Sequence, residues 1–207
     1  MRPLLTAILL FSGLVPAHAA PNAWNFRVLL DGREIGRHQY TLLGTGEERE
    51  LRSEAHFDVR VLHVSVYRYL HEAVEHWNGN CLQSLVARTE TNGKSQFVTA
   101  AARGNRLSVE RPEGRDQHEG CVMSFAYWNP QILSERRLLN SQTGELLPVT
   151  ITPQGEETLE VRGRRLTAQH HRISAPSLEI DLWYADGRWI ALEAPARGGR
   201  RLRYELM

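Results

Sequence analysis

From Trp24 onward the chain alternates apolar and polar residues with a period of two. Trp24, Phe26, Val28 and Leu30 stand against Asn25, Arg27 and Leu29, the pattern of a strand with one face buried. Asp31-Gly32 marks a reversal, because glycine takes the positive φ that tight hairpin turns require. A second strand is expected from about Glu34 to Leu43. After Gly44-Thr45-Gly46 a third runs from Arg49 to Val59, with Leu51, Ser53, Ala55, Phe57 and Val59 on one side.

The stretch Val64 to Leu82 carries the strongest strand signal. Its even positions from Val64 to Val74 are mostly aliphatic, whereas Ser65, Tyr67, Tyr69, His71, Ala73, Glu75 and Trp77 form an aromatic and polar face. Helical spacing also fits Leu62, Val66, Tyr69, Ala73 and Trp77, so residues 61–77 admit a helix. The strand is preferred, because Val-Ser-Val-Tyr-Arg-Tyr is β-branched and aromatic and Asn78-Gly79-Asn80 follows it as a hairpin signal. Further strands are expected over 82–89, 95–101 and 106–110. Arg111 to Gly120 is polar, contains Pro112 and Gly114, and is read as an exposed loop. Cys121 to Leu133 holds the densest aromatic cluster, and Pro130 favours a short helical turn near 130–135. Strands over 146–152, 158–161, 164–173, 178–184, 189–193 and 200–206 fit between turns at Gln142-Thr143-Gly144, Pro153-Gln154-Gly155, Arg162-Gly163, Ala175-Pro176 and Asp186-Gly187. This rhythm predicts a mostly β, antiparallel domain with at most one or two short helices.

The first twenty residues break the pattern. They contain Arg2, an apolar run from Leu4 to Val15, Pro16 and the small-x-small triplet Ala17-His18-Ala19. The run is shorter than the roughly 20 residues of a membrane span, so 1–19 is read as a cleaved signal peptide and 20–207 as a single domain. Cleavage after Ala20 would place Pro21 beside the scissile bond, where its ring fits a peptidase poorly. A periplasmic or secreted location follows, with no transmembrane segment after cleavage. A net charge of only +1 argues against a nucleic-acid partner or a polybasic membrane surface. Arg201 and Arg203 share one strand face and are read as a solvated edge. In an oxidising compartment Cys81 and Cys121 are expected to pair.

Three groups of residues together resemble a family of secreted bacterial proteins known only as a domain of unknown function. They are Trp24-Asn-Phe-Arg-Val-Leu-Leu-Asp-Gly32, Tyr127-Trp-Asn-Pro130 with Leu138-Leu-Asn-Ser-Gln-Thr-Gly144, and Ile180-Asp-Leu-Trp-Tyr-Ala-Asp-Gly187. The closing Leu-Trp-Tyr strand, Asp-Gly turn and final Tyr-Glu-Leu are also similar to the periplasmic lipoprotein-carrier architecture. That resemblance implies an antiparallel sheet curled into a half-barrel around a cavity for acyl chains. Neither resemblance supplies functional residues.

On a strand, His63 and His71 lie roughly 26 Å apart, His71 and His76 face opposite ways, and His170 and His171 diverge. No metal site is therefore expected; Glu72 and His76 would come together only on a helix. No Gly-x-Ser-x-Gly elbow or phosphate loop is present, and a Cys–His mechanism would need a cysteine expected to be oxidised. No catalytic residue and no cofactor are assigned. Tyr67, Tyr69 and Trp77, with Phe125, Tyr127 and Trp128 drawn near by the Cys81–Cys121 bridge, form a candidate ligand-binding wall; the same residues also fit a plain β core. The expected function is an exported binding or carrier protein for a lipid-like, hydrophobic or amphipathic ligand. An envelope structural or protein-interaction module is the alternative, and a hydrolase with an unidentified site the third.

Overall fold

The computed structural model describes residues 22–62 and 64–207. The signal peptide expected over 1–19, and His63, lie outside them. The protein is mostly β. Eight successive antiparallel strands come first: β1 (Asn22–Leu30), β2 (Arg33–Thr45), β3 (Glu48–Val61), β4 (Val64–Asn78), β5 (Cys81–Thr91), β6 (Lys94–Arg103), β7 (Arg106–Arg111) and β8 (Gly114–Glu119). A 3-10 turn at Pro130–Ser134 and a small hairpin of β9 (Arg137–Leu139) and β10 (Leu146–Pro148) follow. The chain then forms β11 (Thr150–Val161), β12 (Arg164–Ala175), β13 (Leu178–Ala185), β14 (Arg188–Ala196) and β15 (Arg200–Leu206).

Thirteen strands make one sheet in the order β11-β12-β13-β14-β15-β1-β2-β3-β4-β5-β6-β7-β8. The two ends of the described chain meet in its interior, where Phe26 pairs with Leu206 and Leu30 with Leu202. β8 and β11 are its edges. In β1 and β4 alternate side chains turn inward, whereas β13 and β14 are buried on both faces; Phe26, Val28, Leu85, Val109, Ile173 and Leu182 are all buried. Phe26 packs on Trp189 at 4.3 Å between ring centroids. One close approach depends on glycine: a Cβ at Gly36 would overlap the carbonyl oxygen of His56 on the paired strand.

Inside the curl lies the segment 121–149. Val122, Met123, Ala126, Trp128, Ile132, Leu138 and Leu139 are all buried. It is fastened on several sides. Cys121 is bridged to Cys81 on β5, Leu82 N–H donates to the Val122 carbonyl at 2.9 Å, and the Tyr184 hydroxyl of β13 donates to the Tyr127 carbonyl at 2.7 Å. Gly144 lies against Val98 and Val109 of β6 and β7. Asn129 caps the 3-10 turn by accepting from Gln131 N–H at 3.1 Å.

Outside, a second layer forms. β12 pairs with β13 only over residues 169–175, and beyond a register shift at Pro153/Gly155 the rest of the β11–β12 hairpin folds across β13 to β15. Arg162 Nε donates to the Met207 carbonyl, and Trp183 Nε1 donates to Glu157 at 3.1 Å.

Several sequence expectations change. The loop expected over 111–120 contains β8, whose exposed, two-sided polar composition suits an edge strand. The turn expected at Pro153-Gln154-Gly155 is a bulge within one continuous strand, β11. β15 is an interior strand, and Arg201 and Arg203 both pair with Glu193 of β14 instead of forming a solvated edge. The strand preferred over 64–77 holds, and the helical alternative does not.

Candidate functional site

β4 sends its aromatic and polar face inward. Tyr69 is half-buried, whereas His71, Ala73, Glu75 and Trp77 are buried, and the aliphatic Val64, Val66, Leu70 and Val74 point to solvent. The reason is the segment 121–149, which supplies polar partners that the interior would otherwise lack. Glu75 Oε2 accepts from Ser124 Oγ at 3.1 Å and from Trp77 Nε1 at 3.2 Å.

Between this wall and the opposite side of the curl is a cavity of about 180 Å³. Its polar wall is His38 and Tyr40 on β2, Ser53 on β3, His71 and Glu75 on β4, and Tyr204 on β15. Its apolar wall is Leu178 and Ile180 on β13, Leu192 and Ala194 on β14, and Leu202 on β15. Phe125, Tyr127 and the Asn140-Ser141-Gln142 turn close the remaining side. Because Gln142 is exposed, this turn leads from the cavity to the surface.

The polar groups are set by burial. Desolvation pushes the Glu75 carboxyl up to about 7, against the opposing pull of the Ser124 and Trp77 hydrogen bonds. His71, whose Nδ1 lies 2.9 Å from Thr89 Oγ1, is pushed down to about 4 by the same cause and is neutral at pH 7. Burial, with His71 nearby, holds His38 well below the usual imidazole range. Its Nδ1 faces the hydroxyls of Tyr40 at 3.1 Å and Tyr204 at 3.3 Å, and its Nε2 is 2.8 Å from Ser53 Oγ. Both phenols are raised by burial and stay protonated. Hydroxyls therefore face both ring nitrogens of a neutral imidazole, and because each can donate or accept, they serve either tautomer. Held well below the usual imidazole range, His38 is a weak base toward Ser53.

The sequence-selected residues separate. Phe125 and Tyr127 line the cavity. Trp77 and Trp128 pack edge-to-face at 5.6 Å in the core, with Arg49 over the Trp128 ring at 4.8 Å. Tyr69 stacks on Phe57 at 5.1 Å, and Tyr67 lies exposed near the end of the β3–β4 hairpin. Cys81 and Cys121 form the bridge as expected. Sequence reasoning missed His38, Tyr40, Ser53, Glu75 and Tyr204. A signal existed for Glu75 and His71, which share strand parity with Tyr69 and Trp77, and for Ser53, which shares it with Leu51 and Phe57.

A second polar cluster sits beneath the outer hairpin. His170 lies between Glu157 at 2.8 Å and Asp181 at 2.7 Å and stacks on Trp183 at 4.4 Å, while Arg172 grips Asp181 through two bonds. Every member is spent on fastening the two layers. Among the described residues no group of three or more His, Cys, Asp or Glu is placed to hold a metal ion, and no helix is long and apolar enough to cross a membrane.

A family model described as a domain of unknown function, DUF6134, matches residues 26–207. The fold is similar to the crystal structure of a β-barrel-like protein of another domain of unknown function, DUF1849, from Brucella abortus. Identity is 12%, the TM-score is 0.64, and the match covers 90% of this chain and 95% of that one. No curated protein matches the chain.

Proposed function

We propose that this chain, which belongs to the DUF6134 family of unknown function, is an exported binding protein that holds a small amphipathic molecule inside its curled sheet. The observation that carries this reading is the two-sided cavity, polar on the β2–β4 side and apolar on the β13–β14 side. Ligand sites characteristically combine an apolar lining with a few converging polar groups. Size narrows the class. A dry cavity of about 150 Å³ accepts one benzene ring, and drug-sized ligands occupy about 300 Å³ or more. At about 180 Å³ the site suits a single ring with a polar substituent. In the lipoprotein-carrier architecture that the closing motif resembles, the curled sheet surrounds acyl chains; here 121–149 occupies much of that interior, which favours a shorter ligand. Export is supported by the pattern of residues 1–19 and by the disulfide.

The test is native mass spectrometry of the exported protein followed by small-molecule extraction. The reading expects a bound one-ring amphipath that is absent from the Ala73→Phe variant, whose new ring fills the site. It fails if no molecule is retained and a panel of one-ring amphipaths leaves the melting temperature unchanged.

A protein-interaction role has its own support. On the outer face Val86 is 62% exposed and Phe97 55%, with Val74 beside Val86, while the exposed Leu70, Val66 and Val64 lie progressively farther along β4. Val74 and Val86 are direct cross-strand neighbours. Apolar side chains grouped in this way mark contact surfaces, and photo-crosslinking from position 86 in the native envelope would trap a partner if this face is used.

A further inference from the structure

We propose that the ligand is a small amphipathic amine, its ammonium group bound by Glu75 and its apolar part laid against Ile180 and Leu192; this rests on the cavity being the binding site. Among the described residues Glu75 is the cavity's carboxylate, and no lysine or arginine lines the space with it. The side chain is buried, and both its hydrogen bonds end on Oε2. Among the described residues Oε1 has no hydrogen-bond partner. A buried carboxylate with one oxygen committed and one free is a receptor for a charged N–H donor, because charge-assisted bonds are the strongest that such a site can form.

The surroundings favour the same class. Neutral His71 has its Nδ1 committed to Thr89, which leaves Nε2 without a partner among the described residues. Phe125 and Tyr127 bring aromatic rings to the same space, and ring faces attract ammonium groups. Anions meet the opposite environment. A carboxylate ligand would be placed near Glu75 with no cationic side chain to receive it, and like charges in a desolvated site repel. A neutral alcohol can bond to Glu75 but gains no ion pair.

Proton balance follows from the site. Below about pH 7 Glu75 is protonated, so binding of R–NH3⁺ transfers the Glu75 proton to solvent and leaves a carboxylate–ammonium pair. Above that pH the carboxylate is already formed and no proton is released. The affinity of an amine should therefore fall about tenfold between pH 8 and pH 6, and that of a neutral ligand should stay constant.

The experiment is isothermal titration calorimetry of the disulfide-bonded protein with benzylamine, benzyl alcohol and benzoate at pH 6 and pH 8, in buffers of different ionisation heat. The expected result is benzylamine tightest by about tenfold or more at pH 8, weaker at pH 6 with release of nearly one proton, and benzoate not bound at pH 8, where Glu75 is ionised. Glu75→Gln, which keeps an acceptor for Ser124 and Trp77, should abolish the preference for benzylamine over benzyl alcohol. If at pH 8 benzyl alcohol binds as tightly as benzylamine, if benzoate binds more tightly there, or if Glu75→Gln retains the amine preference, the amine assignment is overturned while the cavity remains a binding site. If none of the three probes binds, the binding-site reading falls with it.

Discussion

Glu75 and His71 make opposite demands on stability, and Glu75→Gln separates them. In the folded protein the Glu75 carboxyl is held up to about 7 from an ordinary 4.5. Between those values the folded state keeps a proton that the unfolded chain has lost. Stability from this group is therefore complete below pH 4.5 and is lost as pH rises toward 7. At about 1.4 kcal/mol per pH unit the loss reaches about 3 kcal/mol. His71 moves the other way, from 6.5 down to about 4. Its contribution is complete above pH 6.5 and is lost, again by about 3 kcal/mol, as pH falls toward 4. From pH 4.5 to 6.5 the two slopes cancel, so these groups give the native protein a nearly flat profile.

Gln at position 75 resembles the protonated acid and retains an acceptor for Ser124 and Trp77, so the variant should match the native protein near pH 4.5. It should then gain about 3 kcal/mol relative to it by pH 8, exposing the rising slope from His71. Urea unfolding at half-unit pH steps, with the disulfide intact in both proteins, measures the difference directly and removes contributions from groups that the two share. A difference that stays constant from pH 4.5 to 8 would refute the assignment of Glu75 as a buried, proton-holding carboxyl.

Other perturbations test the frame around the site. Free-thiol labelling of the exported protein should find none, and removing the bridge by Cys81→Ala with Cys121→Ala should lower stability by about 4 kcal/mol, since it closes a loop with a separation of 40 residues; chemical denaturation reads this. Gly36→Ala should destabilise by about 2 kcal/mol or more, because the new methyl meets the His56 carbonyl across the β2–β3 ladder; the fall in melting temperature checks it. Trp128→Ala should cost about 3–5 kcal/mol by opening a cavity beside Trp77, with the urea midpoint as readout. Organophosphonate probes should leave Ser53 unlabelled, because His38 is a poor base held by two phenols; a labelled Ser53 peptide in a digest would revive the hydrolase.

The strand frame was readable because period-two alternation persists wherever one face is covered, as in Trp24, Phe26, Val28 and Leu30. Alternation weakens where that condition fails. β8 is polar on both faces at the sheet's edge and reads as a loop. Pro153 and Gly155 carry turn chemistry but serve a bulge. The inward face of β4 was undecidable from pattern, since burial of Glu75 and His71 depends on Ser124 and Thr89, 49 and 18 positions away. The same holds for the cavity. His38 and Ser53 meet across the β2–β3 hairpin, but Tyr204 joins them only after β15 pairs with β1, a long-range contact that no local spacing encodes. Phe125 and Tyr127 were legible as aromatic candidates, but which aromatics face space and which pack on one another is decided by the path of 121–149.

The most direct measurement is a crystal structure of the protein soaked with the tightest-binding one-ring amphipath. The account predicts density inside the curled sheet, with the polar end near Glu75 and Tyr127 and the apolar end against Ile180 and Leu192. It is contradicted if the interior holds only water or its own side chains while the compound sits on the outer face near Val86 and Phe97.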